Sequence, residues 1–311
     1  MRHSVSRIVF LLLGSTAIPA VCQAQSPAAA PAAPRPEFHA QAVRPNLYVL
    51  SGSAGNVAVW TGPTATVLVD DGTAALAPQL LEAVGRIAKS PVRFVVDTHW
   101  HPDHSGGNEA LAKAGAIIVA HESVRERMGE TQVDEDSGAR VAPASAAALP
   151  VVTFPDSMAL QLDGERMALV HVAAAHTDAD VIVRWQEADA VHLGDLYYNG
   201  GYPPIDVANG GSLAGLVAAL EAVLARIDAQ TVVIPGHGAV STRTELAAYR
   251  DMLVAVGRKV RAQVEAGSSL DEVLALKLSA DYDERYGKGA VTPERFIRTL
   301  YRDLTRPRSA R

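Results

Sequence analysis

Thiols and basic residues are both scarce in this chain. Its 311 residues include one cysteine, Cys22, which follows an apolar N-terminal stretch, and 28 Lys and Arg stand against 34 Asp and Glu. With no other thiol, the body of the chain cannot form disulfides, and a metal site there must use histidine and carboxylate ligands. The formal net charge of −6 argues against a nucleic-acid partner, since phosphate binding favours a basic protein face.

Long apolar runs are also missing beyond the N-terminus, so no membrane span is predicted in the body of the chain. Residues 1–24 combine the basic start MRHSVSR, the apolar stretch IVFLLLGSTAIPAV and a cleavage-like sequence at Ala24. This order is typical of a secretory signal peptide, and the apolar run is short for an uncleaved anchor. We therefore expect a periplasmic or secreted protein with no stable membrane insertion after cleavage.

The remaining chain divides by composition into a short linker and one large domain. Residues 25–42 are rich in Pro and Ala and are predicted to be an extended linker. From 43 to 311, strand-like apolar segments alternate with segments of helical spacing, and the C-terminal part is predicted to be helical. Residues 131–150, which are small and polar, are predicted to form a loop. Strands with interspersed helices in both halves predict an α/β (α+β) domain with two helix-covered sheets.

Histidine and aspartate are concentrated where predicted strands end. The segment THWHPDHSGG, residues 98–107, directly follows a buried strand, and three later strands stop at a histidine or aspartate beside small residues. Strand ends are places where a rigid scaffold can hold several ligands toward one cleft. Seven candidate ligands follow from this pattern: His99, His101, Asp103, His104, His176, Asp195 and His237.

The motif HWHPDH resembles the H-x-H-x-D-H signature of the metallo-β-lactamase-fold hydrolases, and the three later positions occur in that family's order. The resemblance covers about residues 45–250. It implies a four-layer αββα sandwich with a di-zinc site at one edge of the sheets. It further implies that His99, His101 and His176 hold one zinc ion, that Asp103, His104 and His237 hold the other, and that Asp195 bridges both. Asp70, in VDDG, matches an aspartate that supports the metal-binding loop.

Neutral imidazoles and carboxylates suit zinc, although iron or manganese would accept the same ligands. A water shared by two such ions loses a proton near neutral pH and becomes a nucleophile. Asp103 is the expected catalytic residue, because it can orient this nucleophile while it remains a ligand.

Three functions remain open for such a site. The first is hydrolysis of β-lactams, which export and the class B β-lactamase-like resemblance favour. The second is hydrolysis of a thioester or lactone, as in glyoxalase-II-like or acyl-homoserine-lactonase-like proteins. Asp195 favours it, because many β-lactamases of this fold carry Cys or Ser there, and no lysine follows closely to hold a β-lactam carboxylate. The third is a non-hydrolytic zinc-binding or redox-partner protein. The first is the preferred prediction, with a small acyl compound as substrate.

The segment LYYNGGYPPIDVANGG, residues 196–211, follows Asp195 and is expected to line the cleft. Tyr197, Tyr198 and Asn199 are therefore candidates for contact with substrate, with packing on the core as the alternative. His121, His171 and His192 match no ligand position and are interpreted as structural. The sequence makes no prediction of the oligomeric state.

Overall fold

The computed structural model describes residues 1, 38–52, 54–133, 138 and 140–306. The predicted signal peptide and most of the predicted linker therefore lie outside the described residues. The described residues from Phe38 to Arg306 belong to one compact unit. Within the described part of the chain, no helix is both long enough and apolar enough to cross a bilayer.

The strands of the described residues are short and lie mainly in two sheets. In chain order they are β1 (His39–Arg44), β2 (Leu47–Ser51), β3 (Val57–Thr61), β4 (Thr66–Val69), β5 (Val92–Val96), β6 (Ile117–His121), β7 (Gln132–Val133), β8 (Arg140–Val141), β9 (Val152–Phe154), β10 (Ser157–Leu162), β11 (Glu165–Val172), β12 (Asp180–Trp185), β13 (Ala190–His192) and β14 (Val232–Ile234).

Helices are interspersed with the strands along the described chain, and the longest lie near the C-terminus. They are α1 (Ala77–Ile87), α2 (Pro102–Ser105), α3 (Asn108–Lys113), α4 (Glu122–Met128), α5 (Leu213–Leu224), α6 (Arg243–Glu265), α7 (Leu270–Ala275), α8 (Ala280–Tyr286) and α9 (Pro293–Thr305). Short 3₁₀ turns cover Ala74–Leu76 and Gly194–Leu196.

The first sheet has seven strands in the order β1-β2-β3-β4-β5-β6-β9, and the second has five in the order β10-β11-β12-β13-β14. Pairing in the first sheet is antiparallel from β1 to β4 and parallel from β4 to β9. In the second sheet only β13 and β14 are parallel. Parallel pairing places the carboxyl ends of neighbouring strands at the same edge of a sheet.

Side chains on the two faces of the first sheet pack against different layers of the fold. In β3 and β4, Ala58, Trp60 and Val67 pack into a core with Met167 and Trp185 of the second sheet. The residues between them face the other way, because successive side chains of a strand point to opposite faces. These outward residues, Val59 and Leu68, pack against Leu80 and Val84 of α1 and Leu111 of α3.

The second sheet is covered in the same way on its outer face. Val191 and Val233 pack with Leu216 and Leu220 of α5, Tyr249 and Met252 of α6, and Phe296 of α9. The order of layers is therefore helices, sheet, sheet, helices, and the predicted αββα sandwich is confirmed.

Two segments differ from the sequence-based expectation. Residues 39–42, assigned to the linker, belong to strand β1, and Phe38 is already buried. The side chains of His39 to Ala42 are exposed, so β1 is held by backbone pairing with β2 and carries no alternating apolar pattern. The predicted loop 131–150 contains the small β7–β8 hairpin, whose strands are only two residues long.

Candidate metal centre

Four loops at one edge of the two sheets bring the predicted ligands together. The segment after β5 carries His99 and His101, and α2 follows it with a proline at its first position, where no N–H is needed. His176 lies between β11 and β12, Asp195 lies in the 3₁₀ turn after β13, and His237 follows β14. The segment after β5 is tied to the second sheet by a hydrogen bond from the Val181 amide to the Thr98 carbonyl, 2.7 Å long.

Three imidazole nitrogens and one carboxylate oxygen form the first cluster. His101 Nδ1 lies 3.1 Å from His99 Nε2 and 3.0 Å from His176 Nε2. Asp195 Oδ2 lies 3.7 Å from the Nε2 atoms of both His99 and His176. His99, His176 and Asp195 are buried, whereas His101 is partly exposed to the cleft.

The second cluster lies beside the first and is built from Asp103, His104 and His237. The Nε2 atoms of His104 and His237 are 3.2 Å apart. Asp103 Oδ2 lies 3.2 Å from His237 Nε2 and 3.6 Å from His104 Nε2.

Asp195 connects the two clusters, because its two carboxylate oxygens face different sides. Oδ2 faces the first cluster, while Oδ1 lies 3.1 Å from His104 Nε2 and 3.5 Å from His237 Nε2 in the second. Gly236 permits this position, since a Cβ there would lie 2.1 Å from Asp195 Oδ1. Each cluster thus has four donor atoms, of which Asp195 supplies one to each.

The spacing of these atoms suits a four-coordinate ion. Zinc–nitrogen distances of about 2.0–2.1 Å give a tetrahedron with edges of about 3.3–3.4 Å. The donor–donor distances given above run from 3.0 to 3.7 Å in the first cluster and from 3.1 to 3.6 Å in the second with Asp195 Oδ1, and all donor atoms of each group lie within 4.8 Å of one another. Both clusters therefore have the dimensions of a tetrahedral metal site.

Hydrogen bonds on the outer side of the imidazoles determine which nitrogens face inward without a proton. The Thr98 hydroxyl donates its single proton to Asp70 Oδ2, at 2.9 Å, so it accepts from His99 Nδ1, at 3.1 Å. His101 Nε2 donates to Asp206 Oδ2, at 3.2 Å. The inward atoms, His99 Nε2 and His101 Nδ1, are then two lone pairs 3.1 Å apart, an arrangement that a cation between them stabilises.

The carboxylates around His104 also favour positive charge at the second cluster. Burial opposes protonation of His104, but the carboxylates of Asp195 and Asp70 raise its pKa well above the usual value. In contrast, burial lowers the pKa of His99 well below its usual value and that of His176 to about 4. His99 and His176 are therefore neutral at physiological pH, the form in which imidazole binds a metal. The residues present fit two metal ions.

Asp70 supports the metal-binding loop after β5, which is the role that the resemblance implied. It is fully buried, accepts hydrogen bonds from the Thr98 amide at 2.7 Å and the Thr98 hydroxyl at 2.9 Å, and contacts His104 Nδ1 at 2.7 Å. Its φ of 63° is a left-handed conformation, which aspartate tolerates better than most residues.

A sequence profile of the metallo-beta-lactamase superfamily matches residues 50–248, more than half of the chain. The chain belongs to the metallo-beta-lactamase superfamily. The profile includes all seven residues of the two clusters, and superfamily membership agrees with the layer order and with the His/Asp-rich site.

Two curated relatives of this superfamily member are both named hydroxyacylglutathione hydrolase. One, from a Polaromonas species, is 30% identical over 158 residues, and the other, from Anaeromyxobacter dehalogenans, is 28% identical over 175 residues. The alignments cover 50% and 56% of this chain, and 52% and 59% of the relatives. The chain thus matches little more than half the length of these curated relatives.

Two solved structures share the fold. A metallo-beta-lactamase from Pontibacter korlensis has a TM-score of 0.59 at 20% identity, covering 70% of this chain and 99% of that one. The inverting sec-alkylsulfatase Pisa1 from Pseudomonas sp. has a TM-score of 0.64 at 20% identity, covering 86% of this chain and 50% of that one. At this identity the likeness shows the fold alone.

The three candidates for contact with substrate, which follow Leu196, have different surroundings. Tyr198 lines the cleft, donates a 2.6 Å hydrogen bond to Asp195 Oδ2 and stacks on the His237 ring at 4.6 Å. Tyr197 is buried in the core, and its hydroxyl bonds with Ser241, so the expected substrate contact is wrong for this residue. Asn199 donates to the Ala239 carbonyl and is not among the residues lining the cleft.

The remaining histidines contact other groups of the protein. His192 is buried, and its Nδ1 accepts a hydrogen bond from the Gly194 amide. His121 and His171 stack face to face, with ring centroids 3.5 Å apart, and so connect β6 of the first sheet with β11 of the second.

Two residues of the site were missed by the sequence analysis. Asp206 holds His101 from the far side of its ring, and Asp180 Oδ2 accepts hydrogen bonds from the amides of His176 and Thr177. Asp206 lies 105 positions from His101, so their proximity is visible only in the fold. Asp180 was inside a predicted strand, where the pattern H-T-D-A-D gave a weak sign of a turn that supports His176.

A cavity of about 350 Å³ opens onto both clusters. Asp103, Asp195 and Tyr198 line it at the metal-site end, and Trp100 and Ile205 give it apolar surface. Its volume lies in the range of sites that hold small organic molecules. The arrangement is therefore able to place a small substrate against the two clusters.

Proposed function

We propose that this chain is a two-metal hydrolase of acyl thioesters. The observation that carries the proposal is Asp195, whose two oxygens face the two clusters, because the glyoxalase-II-type branch shares a bridging aspartate at this position. The names of both curated relatives, hydroxyacylglutathione hydrolase, support the same substrate class. Zinc is the proposed metal, since neutral imidazoles with carboxylates at tetrahedral spacing suit it.

Divalent ions in such a site lower the pKa of water and polarise a carbonyl group. Asp103 is placed to orient the attacking water, because its side chain is 39% exposed and faces the cleft between His104 and His237. Attack on the thioester carbonyl carbon forms the new C–O bond, and the C–S bond then breaks. The leaving thiolate needs little help from an acid, because thiols have a pKa of about 8.5.

The preferred substrate class changes here from β-lactams to thioesters. The sequence favoured β-lactams over thioesters or lactones, whereas the relatives favour thioesters. Opening a β-lactam releases an amine nitrogen, a poorer leaving group than a thiolate. The non-hydrolytic alternative predicts bound metal with no turnover of any acyl compound.

The first experiment is a hydrolysis assay of residues 25–311 after dialysis against a chelator and again after zinc is restored. The substrates are a hydroxyacyl-glutathione thioester, an acyl-homoserine lactone and a chromogenic cephalosporin. We expect zinc-dependent hydrolysis of the thioester to exceed that of the others. Turnover that survives chelation contradicts the metal mechanism, and turnover confined to the cephalosporin restores the β-lactam prediction.

The matched variant for this assay is Asp103→Asn, which keeps the size of the side chain and removes its charge. We expect turnover to fall by roughly 100-fold or more, because both metal position and water orientation depend on the carboxylate. Asp163→Asn, which changes an exposed carboxylate bonded to Thr64, is the control. Equal turnover in both variants removes Asp103 from the mechanism.

We further propose that the protein is exported by cleavage after Ala24 and acts outside the cytoplasm on a small molecule. The basis is the N-terminal sequence, which ends in CQAQ after an apolar stretch. Mass spectrometry of the protein recovered from the periplasm and the medium tests this. A mature N-terminus at Gln25 is expected, and an intact N-terminus in the cytoplasmic fraction contradicts it.

A further inference from the structure

A series of hydrogen bonds runs from helix α4 to the first cluster. Arg127, near the end of α4, donates from Nη1 to Asn209 Oδ1 at 3.0 Å. Asn209 Nδ2 donates to both carboxylate oxygens of Asp206, at 3.1 and 2.9 Å. Asp206 Oδ2 in turn accepts the hydrogen bond from His101 Nε2. These four residues, named here the Arg127 network, join a helix to a predicted metal ligand.

The two ends of the Arg127 network fix the orientation of the Asn209 amide. A guanidinium carries only donors, so the amide turns its oxygen toward Arg127. A carboxylate carries only acceptors, so the amide N–H groups face Asp206. The backbone amide of Asn209 adds a further bond to Asp206 Oδ1, at 3.1 Å. A carboxylate held in this way keeps the proton of His101 on Nε2 and leaves Nδ1 free for a metal ion.

The guanidinium of Arg127 is held in place by Asp178. Its Nε and Nη2 atoms donate to the two oxygens of this carboxylate, at 3.4 and 2.5 Å, in the paired geometry that arginine forms with carboxylates. Asp178 lies two positions after His176, and its amide donates to the Asn209 carbonyl at 3.0 Å. Arg127 therefore contacts both the loop that carries His176 and the loop that carries Asp206.

The loop between the second 3₁₀ turn and α5 has a separate support for its backbone. Arg306 donates hydrogen bonds to the carbonyls of Val207, at 2.7 Å, and Gly211, at 3.2 Å. Arg306 thus holds main-chain atoms, whereas Arg127 holds the side-chain amide of Asn209. Loss of Arg127 is therefore expected to leave the loop in place and to release the Asn209 side chain.

Neither substrate contact nor the ion pair explains the position of Arg127. This residue does not line the cavity at the clusters. The side chains of Arg127 and Asp178 are 29% and 34% exposed, and ion pairs with this much access to water contribute little to stability. The contact that distinguishes Arg127 from an ordinary surface arginine is the one to Asn209, which leads to the first cluster.

We propose that Arg127 is a positioning residue for the first metal ion, because it fixes the ring of His101 through the Arg127 network. The inference rests on the metal binding of the proposed function and is independent of the substrate class. The network ends at His101, which belongs to the first cluster only. The effect of Arg127 is therefore confined to one of the two ions.

The test compares Arg127→Gln with Arg125→Gln in competition with a zinc chelator. We expect Arg127→Gln to weaken one zinc ion by roughly 10-fold and to leave the other unchanged, since outer partners of a ligand contribute on this scale. Arg125 lies on the same helix and donates to the Pro150 carbonyl, so its variant should keep both affinities. Equal weakening of both ions in Arg127→Gln, with a lower unfolding temperature of the metal-free protein, shows a purely structural role and overturns the proposal.

A double-mutant cycle tests whether the effect passes through Asp206. The network is already interrupted in Asp206→Asn, so adding Arg127→Gln should cause little further loss of zinc affinity. Asn209→Ala leaves the ion pair of Arg127 with Asp178 intact and should reproduce the loss seen in Arg127→Gln. Losses that add in the double variant, or full affinity in Asn209→Ala, overturn the proposal.

The metal-free protein supplies a readout that needs neither zinc nor substrate. In protein with isotope-labelled histidine, nuclear magnetic resonance shows which ring nitrogen of His101 carries the proton, and His101→Gln identifies the signal. At a pH where free imidazole is neutral, we expect the Nε2–H form in the wild type and a mixture of both tautomers in Arg127→Gln.

This readout separates the inference from the proposed function. If the wild type binds no zinc but the tautomer of His101 changes in Arg127→Gln, the proposed metal mechanism fails and the Arg127 network stands. If zinc binds and a thioester is hydrolysed, while Arg127→Gln changes neither zinc affinity nor tautomer, the Arg127 network fails alone.

Discussion

Tyr198 is the residue of the cleft whose role is most easily isolated. Its hydroxyl donates to Asp195 Oδ2, while its ring stacks on His237. Tyr198→Phe removes the hydroxyl and keeps the ring, so we expect both metal ions to remain bound and kcat to fall by about 10-fold through a less firmly oriented carboxylate.

Tyr197→Phe is the matched control, since the neighbouring hydroxyl bonds only with Ser241 in the core. We expect it to lower the free energy of unfolding by about 1 kcal/mol and to leave kcat near wild type. Kinetic constants and metal content of both variants are the measurements. Equal kcat in the two variants would falsify the positioning role of Tyr198.

Asp206 offers a second test at the level of one residue. Asp206→Asn weakens the hydrogen bond that fixes the ring of His101, and supporting residues of this kind contribute about 10- to 100-fold to metal affinity. Competition with a zinc chelator should show this loss for one of the two ions, because His101 belongs to the first cluster only. Asp281→Asn, a surface carboxylate paired with Lys259, should leave both affinities unchanged. Parallel weakening of both ions contradicts the assignment.

The sequence pointed to the seven residues of the clusters and to one supporting residue, Asp70, but it missed the supporting residues Asp206 and Asp180. The motif HWHPDH and the later strand-end residues are short, recognisable patterns, and the structure brings all seven side chains together. The contact of Asp206 with His101 is made only in the fold, and the hydrogen bonds of Asp180 to the amides of His176 and Thr177 leave only the weak local pattern H-T-D-A-D. Tyr197 was left open between substrate contact and core packing, because neighbouring loop residues can face opposite sides and the sequence does not show which one faces the core; the structure places it in the core.

Among the elements, β6 and β11 are connected by the stacked rings of His121 and His171. Burial, with a further contribution from His121, lowers the pKa of His171 below its usual value of 6.5, against smaller opposing effects from Asp178 and Asp156. A histidine with a lowered folded-state pKa contributes stability above about pH 6.5, and this contribution is lost as the pH falls.

His171→Gln should therefore reduce the loss of stability on acidification. We expect the free energy of unfolding by urea to fall less between pH 7.5 and pH 5.5 in this variant than in the wild type. Both are measured after chelation, so that metal release does not contribute. His39→Gln, on exposed strand β1, is the control and should follow the wild type. An identical fall in His171→Gln and the wild type contradicts a role for this stack.

Strands with a continuous apolar run were predictable, and strands without an apolar pattern were not. β3 and β4 bury both faces between helices and the second sheet, which produces strong apolar runs. β1 has exposed side chains along its first four residues and is held by its backbone. The β7–β8 hairpin is too short to carry any period.

For the molecule as a whole, the clusters connect metal binding to stability. Imidazole nitrogens and carboxylate oxygens are brought together in each cluster only in the folded state, so a cation that binds between them stabilises the folded state. Free zinc at 100-fold above its dissociation constant should stabilise the fold by about 2.7 kcal/mol per site. Thermal unfolding with zinc and with chelator measures the difference.

Asp195→Asn should shrink this zinc-dependent difference, because one carboxylate serves both clusters. Unfolding transitions that coincide with and without zinc in the wild type contradict the metal-site assignment. The four-layer architecture itself was predictable from the resemblance, whereas the substrate was not, because the cavity wall at α9 arises from residues nearly 200 positions away from the motif.

The hydrogen bonds of Arg306 to Val207 and Gly211 have a practical consequence for anyone preparing this protein. A purification tag fused directly after Arg306 would begin at the residue that holds the loop carrying Asp206. Tension or crowding from such a tag would act on the ring of His101 and hence on zinc loading.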